Sequence, residues 1–175
     1  MIILIGPSAS GKSTIEKELV KKGYSNIVSY TSRPIRMGEI NHKDYHYITD
    51  DEFYNKQKNG FFVEHTLYNG WHYGIATEDC NENAVCVIER VGMDQMKNKL
   101  GNKIFSIFID VPQRICLKRM IDRGDNLLEA FRRIFSDEGN FSGVKEKCNI
   151  ILNNDRPLNE TINELLNILK SENPL

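Results

Sequence analysis

Gly6-Pro7-Ser8-Ala9-Ser10-Gly11-Lys12-Ser13 fits the pattern G-x-x-x-x-G-K-[ST]. The preceding run Ile2-Ile3-Leu4-Ile5 is short, apolar and mostly β-branched, and predicts a buried strand. The following residues, Thr14 to Val20, set Ile15 and Leu19 on one helix face. A strand, a glycine-containing turn and a helix start together make a phosphate cradle. Its backbone N–H groups point inward, and the helix N-terminus adds partial positive charge. On this reading Gly6, Pro7, Ser8, Ala9, Ser10, Gly11, Lys12, Ser13 and Thr14 enclose the phosphates of a nucleoside triphosphate. Lys12 reaches the terminal phosphates, and the Ser13 hydroxyl ligates Mg²⁺. A turn merely rich in small residues would match the letters but not the strand-before, helix-after context.

Composition agrees with a small enzyme. The chain has 175 residues and a net charge of −1, with acids and bases interspersed. That is enough chain for one good core, and no global field favours nucleic acid or an anionic membrane. Cys80, Cys86, Cys116 and Cys148 show no C-x-x-C spacing and no disulfide-framework density, as expected of thiols in a reducing compartment. No apolar stretch approaches the length of a membrane span, and a core strand begins where a signal peptide would lie. The expected location is the cytoplasm.

Apolar runs alternate with helical patterns, which predicts an α/β fold built of βαβ units around a mostly parallel sheet. The strand candidates are Ile2–Ile5, Asn26–Ser29, Ala84–Glu89, Ile104–Ile109 and Asn149–Leu152. A helix is expected to start at Pro112, with Leu117, Met120 and Ile121 as its apolar stripe. Another is expected over Leu127–Ser136, with Leu128, Phe131 and Phe135 on one face. A last helix near Pro157 carries Leu158, Ile162, Leu165, Leu166 and Leu169 toward the core.

Thr31 to Thr77 breaks this rhythm. Aromatic residues alternate there with polar ones, which predicts short strands joined by turns and one helix at Asp50–Lys58, capped by Asp50 or Asp51. The segment reads as a substrate-binding lobe. Arg33 and Arg36 flank Pro34, and with the phenols of Tyr45 and Tyr73 they could surround a phosphate monoester through charge-assisted hydrogen bonds. From the residues alone, two solvated surface arginines fit equally well.

The order of motifs is more specific. Ser29-Tyr30-Thr31-Ser32-Arg33-Pro34-Ile35-Arg36-Met37-Gly38-Glu39 follows the phosphate loop, and then come Asp44-Tyr45, Phe62-Val63-Glu64 and Gly70-Trp71-His72-Tyr73-Gly74. Arg119, Arg123-Gly124 and Ile151-Leu152-Asn153-Asn154-Asp155 close the series. Nearly the whole chain resembles guanylate kinase. The resemblance implies a P-loop core (1–30, 81–115 and 140–175), a small mixed-strand monophosphate-binding lobe (31–80) and a short helical lid (116–139). It implies ATP and GMP as substrates, Mg²⁺ as cofactor, and no nucleic-acid or membrane partner. By the same resemblance Ser29, Arg33, Arg36, Tyr45 and Tyr73 hold the phosphate of GMP. Glu64 reads guanine N1–H and the 2-amino group, which adenine cannot offer as a pair. Lys12, Arg36, Arg119 and Arg133 neutralise the moving phosphoryl group, while Arg123 and Asn153 contact ATP.

The chain departs from that pattern in two places. Ile75 follows Tyr73-Gly74 where a Ser or Thr is usual, and Val87-Ile88-Glu89 stands where the family strand ends Asp-x-Asp. Glu89 aligns with the acid nearer the metal or with the acid touching guanine, depending on the direction of alignment. Ala9 also replaces a frequent glycine, at a position the motif leaves open. Two other readings stay open: a related kinase with another acceptor, such as ribose 1,5-bisphosphate, and a non-catalytic interaction module of the same fold. His42, His46, His65 and His72 show no metal-ligand spacing and carry no zinc assignment.

Overall fold

The computed structural model describes residues 1–68 and 70–172; Asn69 and positions 173–175, which the 1–175 span includes, lie outside the described residues. The first sheet has five strands: β1 (Ile2–Ile5), β2 (Ser25–Asn26), β7 (Ala84–Val87), β8 (Phe105–Asp110) and β9 (Ile150–Asn153). Their order is β2-β7-β1-β8-β9, and every pairing is parallel. Helices α1 (Lys12–Lys21), α3 (Arg90–Leu100), α4 (Gln113–Asp122), α5 (Leu127–Asn140) and α6 (Leu158–Glu172) follow its strands. This is the α/β architecture that the sequence predicts. Among the described residues no helix is long and apolar enough to cross a membrane.

The apolar run of β1 is continuous because both faces of the strand are covered. Ile2 and Leu4 join a core cluster with Ile15, Leu19, Met120 and Leu165; Ile3 and Ile5 join another with Val63, Ile75, Met93 and Met96. The second cluster therefore spans the central sheet, α3 and the smaller sheet, and it joins the two sheets.

The smaller sheet comprises β3 (Tyr30–Thr31), β4 (His46–Tyr47), β5 (Phe62–Tyr68) and β6 (Trp71–Ala76), in the order β4-β3-β6-β5. It is mixed: β3 pairs β4 in parallel and β6 antiparallel, and β5 pairs β6 antiparallel. Helix α2 spans Asp50–Lys58, the predicted residues, but its cap differs from expectation. Thr49 is the N-cap, in a reciprocal capping box with Glu52, while Asp50 and Asp51 occupy the first turn, where their charge favours the helix dipole.

Several boundaries differ from the sequence pattern. The strand expected at Asn26–Ser29 ends at Asn26, which frees Ser29 to line a cavity. The strand expected to reach Glu89 ends at Val87, and Glu89 becomes the N-cap of α3. Helix α3 has no counterpart in the predicted elements, because Gly92 and Val91 weaken its helical pattern and only Met93, Met96 and Leu100 mark its buried side. Helix α5 runs on to Asn140, and the apolar face marked by Leu128, Phe131 and Phe135 is exposed (79 %, 40 % and 71 %), whereas Ala130 is buried.

Candidate active site

The phosphate loop follows β1, and its conformation is dictated by close approaches. A Cβ on Gly6 would lie 2.6 Å from the Ile109 carbonyl oxygen, and one on Gly11 would lie 2.4 Å from Asn154 Nδ2. Gly11 is the N-cap of α1 with φ of 100°. Ala9 also sits in the left-handed region, with φ of 58°. That strain explains why glycine suits position 9, although the motif leaves it open.

A cavity of about 400 Å³ adjoins the loop, lined by Gly11, Lys12, Ser13, Thr14, Arg119, Arg123 and their neighbours. Arg119 Nη2 donates to the Asn154 carbonyl at 2.7 Å, and Asn154 Nδ2 donates to the Ser10 carbonyl at 2.7 Å. The end of β9 is thereby tied to the loop. Asn153, singled out from sequence, turns its Oδ1 to the Asp155 N–H and does not line this cavity. Asn154, Arg156 and Leu158 do. Lys12 Nζ donates to the carbonyls of Gly6 and Pro7, at 2.6 and 2.8 Å. Burial lowers its pKa, while the charges of Glu89 and Asp137 act in the opposite direction.

A larger cleft of about 800 Å³ lies between the two sheets. It contains Ser29, Tyr45, Glu64, Tyr73 and Glu89 from the predicted set, together with Glu16, Thr66, Ile75 and Gly92. Ser13 lines both cavities. Glu64 reaches the cleft because the β5–β6 register shifts between Phe62 and Glu64, leaving Val63 in the core and the carboxyl beside Gly92. Glu64 is only 6 % exposed, and burial raises its carboxyl to about 7, against the lowering effect of the Ile75 N–H and Lys99. Ile75 is 1 % exposed and packs in the cluster that joins the two sheets. Thr66, two residues beyond Glu64, brings a hydroxyl to the same cleft.

The arginines divide into groups. Arg33 is buried and forks onto Glu39 at 3.1 and 2.8 Å, between the rings of Tyr45 and Tyr47. Tyr47 also donates to Glu39, at 2.7 Å. These contacts, with Arg33 the largest cause, hold the Glu39 carboxyl down at about 2. Arg36 is exposed, and its backbone N–H donates to the same carboxylate at 2.8 Å. Arg123 forks onto Asp125, and Arg133 of α5 contacts Glu129 at 2.9 Å and Asp125 at 3.6 Å. Arg133 lines a hollow of about 330 Å³ with Ser8, Glu89 and Asp137. Glu16 and Asp137 carried no signal in the sequence, since each is one acid among many on an amphipathic helix.

A family model described as guanylate kinase matches residues 1–172. The chain belongs to the guanylate kinase family. It is a nucleoside-monophosphate kinase, and the family-level activity is phosphorylation of GMP. A guanylate kinase of Clostridium tetani (strain Massachusetts / E88) is 31 % identical over 180 residues, covering 98 % of this chain and 86 % of that protein. One from Anaplasma phagocytophilum (strain HZ) is 29 % identical over 187 residues, with the same two coverages. A crystal structure of guanylate kinase from Anaplasma phagocytophilum has a TM-score of 0.74 at 23 % identity, covering 98 % of this chain and 85 % of that one. A gluconokinase from Sinorhizobium meliloti 1021 reaches 0.59 at 16 % identity, covering 98 % and 91 %. At those identities the structural likeness speaks for the fold alone.

Proposed function

We propose that this chain transfers the γ-phosphoryl group of ATP to GMP and dGMP by direct displacement. The observation that carries the reading is the junction at Ser13. The cavity around the phosphate loop and the cleft holding Glu64 share that residue, so a donor in one and an acceptor in the other would meet end to end.

Phosphoryl transfer asks little covalent chemistry of a protein; it asks for alignment, exclusion of water and countercharge. An acceptor phosphate oxygen is already nucleophilic at neutral pH, so the reading contains no general base. Lys12 and Arg119 would meet the donor phosphates, with Arg123 and Arg133 approaching from the lid. Tyr45, Tyr73, Ser29 and the arginines 33 and 36 would hold the acceptor phosphate. Arg33 would act largely by bracing this group through Glu39, because its fork is already committed there. Glu64, ionised, would accept both guanine N–H groups, and a base without that donor pair would leave a buried carboxylate unpaired.

The donor set fits Mg²⁺: Ser13 offers a hard oxygen at the mouth of the cleft, and Mg²⁺ prefers few protein oxygens together with phosphates and water. When bound, that ion would offset charge between the donor phosphates. The roles of ATP, Mg²⁺ and each residue are parts of this proposal, as are the core, lobe and lid boundaries and a cytoplasmic setting.

A panel of acceptors tests it. GMP and dGMP should turn over far faster than AMP, CMP, UMP or ribose 1,5-bisphosphate, and Glu64→Gln should erode GMP preference while sparing ATP affinity. Turnover of the sugar phosphate with GMP inert would transfer the cleft to another acceptor. Failure to bind ATP at all would leave only the interaction-module reading.

A further inference from the structure

The resemblance to guanylate kinase implies two acids near the end of β7, and this chain offers Glu89 alone there. The structure brings a different acid to this rim. Glu16 lies one turn beyond Ser13 on α1, and residues three apart share a helix face. Ile15 and Leu19 turn into the core, while Glu16 is half-buried and lines the acceptor cleft together with Ser13, Val87 and Glu89. The backbone N–H of Val87, at the end of β7, acts on the Glu16 carboxyl and favours the ionised form. Val87 itself packs against the core cluster that contains Ile15 and Leu19, on the α1 side of the sheet.

A carboxylate with no such task would be an odd choice here. Burial raises the Glu16 carboxyl to about 7, against the lowering effects of the Val87 N–H and Lys17, so the fold bears a cost for keeping an acid at this place. An apolar side chain would pack beside Val87 without that cost.

Resting on the kinase reading above, we propose that Glu16 is a positioning residue. From α1 it supplies the acidic oxygen that β7 lacks, and orients the water shell of a divalent cation held at Ser13. The donor set suits this: hydroxyl and carboxylate oxygens line one cleft, and Mg²⁺ keeps several waters that outer carboxylates can hold. Glu89, whose charge acts on Lys12, then remains beside the phosphates as the second acid.

The test uses Mn²⁺ as a spin probe with the full-length enzyme and ATP, reading free Mn²⁺ by electron paramagnetic resonance. Glu16→Gln keeps a polar oxygen while removing the charge, and Glu16→Leu removes both. Both variants should weaken Mn²⁺ binding in the ATP complex by roughly tenfold or more. Metal-free ATP affinity, read by calorimetry with chelator present, should stay at the wild-type value. Wild-type Mn²⁺ affinity in Glu16→Gln would overturn the proposal, as would an equal loss of ATP affinity with and without metal, which would mark a purely structural role. The wild-type acceptor panel reports separately on the kinase reading, so failure of one is not mistaken for failure of the other.

Discussion

The Asp137 carboxylate of α5 accepts a 2.7 Å hydrogen bond from the backbone N–H of Ser8, 129 residues away in the phosphate loop. A side chain of α5 thus meets an amide of the loop that is built to receive anions, and its charge also acts on Lys12.

A donor nucleotide must therefore compete with an internal anion. Asp137→Asn should tighten ATP binding severalfold, corresponding to a net hydrogen-bond contribution of about 1 kcal/mol. Isothermal titration measures it, and unchanged or weaker binding would show that the contact does not compete with the donor.

The buried Glu64 makes stability and acceptor binding respond to pH in opposite senses. Its folded-state carboxyl is raised from 4.5 to about 7, so the native state holds a proton that the unfolded chain has released. The stability this lends is fully present below 4.5 and is lost as pH rises through about 7, on the order of 3 kcal/mol in all. Glu16, raised likewise, adds a loss of the same sign. Glu64→Gln should therefore melt higher than wild type at about pH 8 and alike at about pH 4, by calorimetry. If Glu64 reads guanine as proposed, GMP binds the ionised form, so its KM should fall from about pH 6 to about pH 8 in wild type and stay flat in the variant. A pH-independent KM in wild type would contradict this account of Glu64.

Gly92 tests how closely α3 approaches Glu64. A Cβ there would lie 2.9 Å from Glu64 Oε2 and 2.7 Å from Ile88 Cδ1. Gly92→Ala should raise the KM for GMP roughly tenfold or more by displacing the carboxylate, with ATP affinity unchanged. Steady-state kinetics with each substrate varied in turn would show it. A parallel loss for both substrates would mean the helix moves as a whole.

Ala9 holds a left-handed backbone that costs a non-glycine residue roughly 1–2 kcal/mol. Glycine relieves that strain but gives the unfolded chain more freedom. Ala9→Gly should raise stability by up to about 1 kcal/mol in urea unfolding. A clear loss of stability would mean that the Ala9 methyl packs more usefully than its backbone is strained.

Sequence alone determined the parallel core and the phosphate loop, because those features are written locally. Ile2–Ile5 is apolar throughout, as a strand covered on both faces must be, and Gly6, Gly11, Lys12 and Ser13 keep a fixed spacing within one turn. It also marked Glu64, Tyr45 and Tyr73, which the fold gathers into one cleft. Tertiary structure decided what depends on neighbours distant in the chain. Helix α3 is held by contacts of Met93 and Met96 with the two sheets, not by a strong pattern of its own. Arg33 is committed to Glu39, Asn154 rather than Asn153 secures the loop, and Leu128 and Phe135 face outward from α5. Glu16 and Asp137 are ordinary helix acids in the sequence. Only the packing of α1 against β7, and of α5 over the phosphate loop, brings their charge to the site.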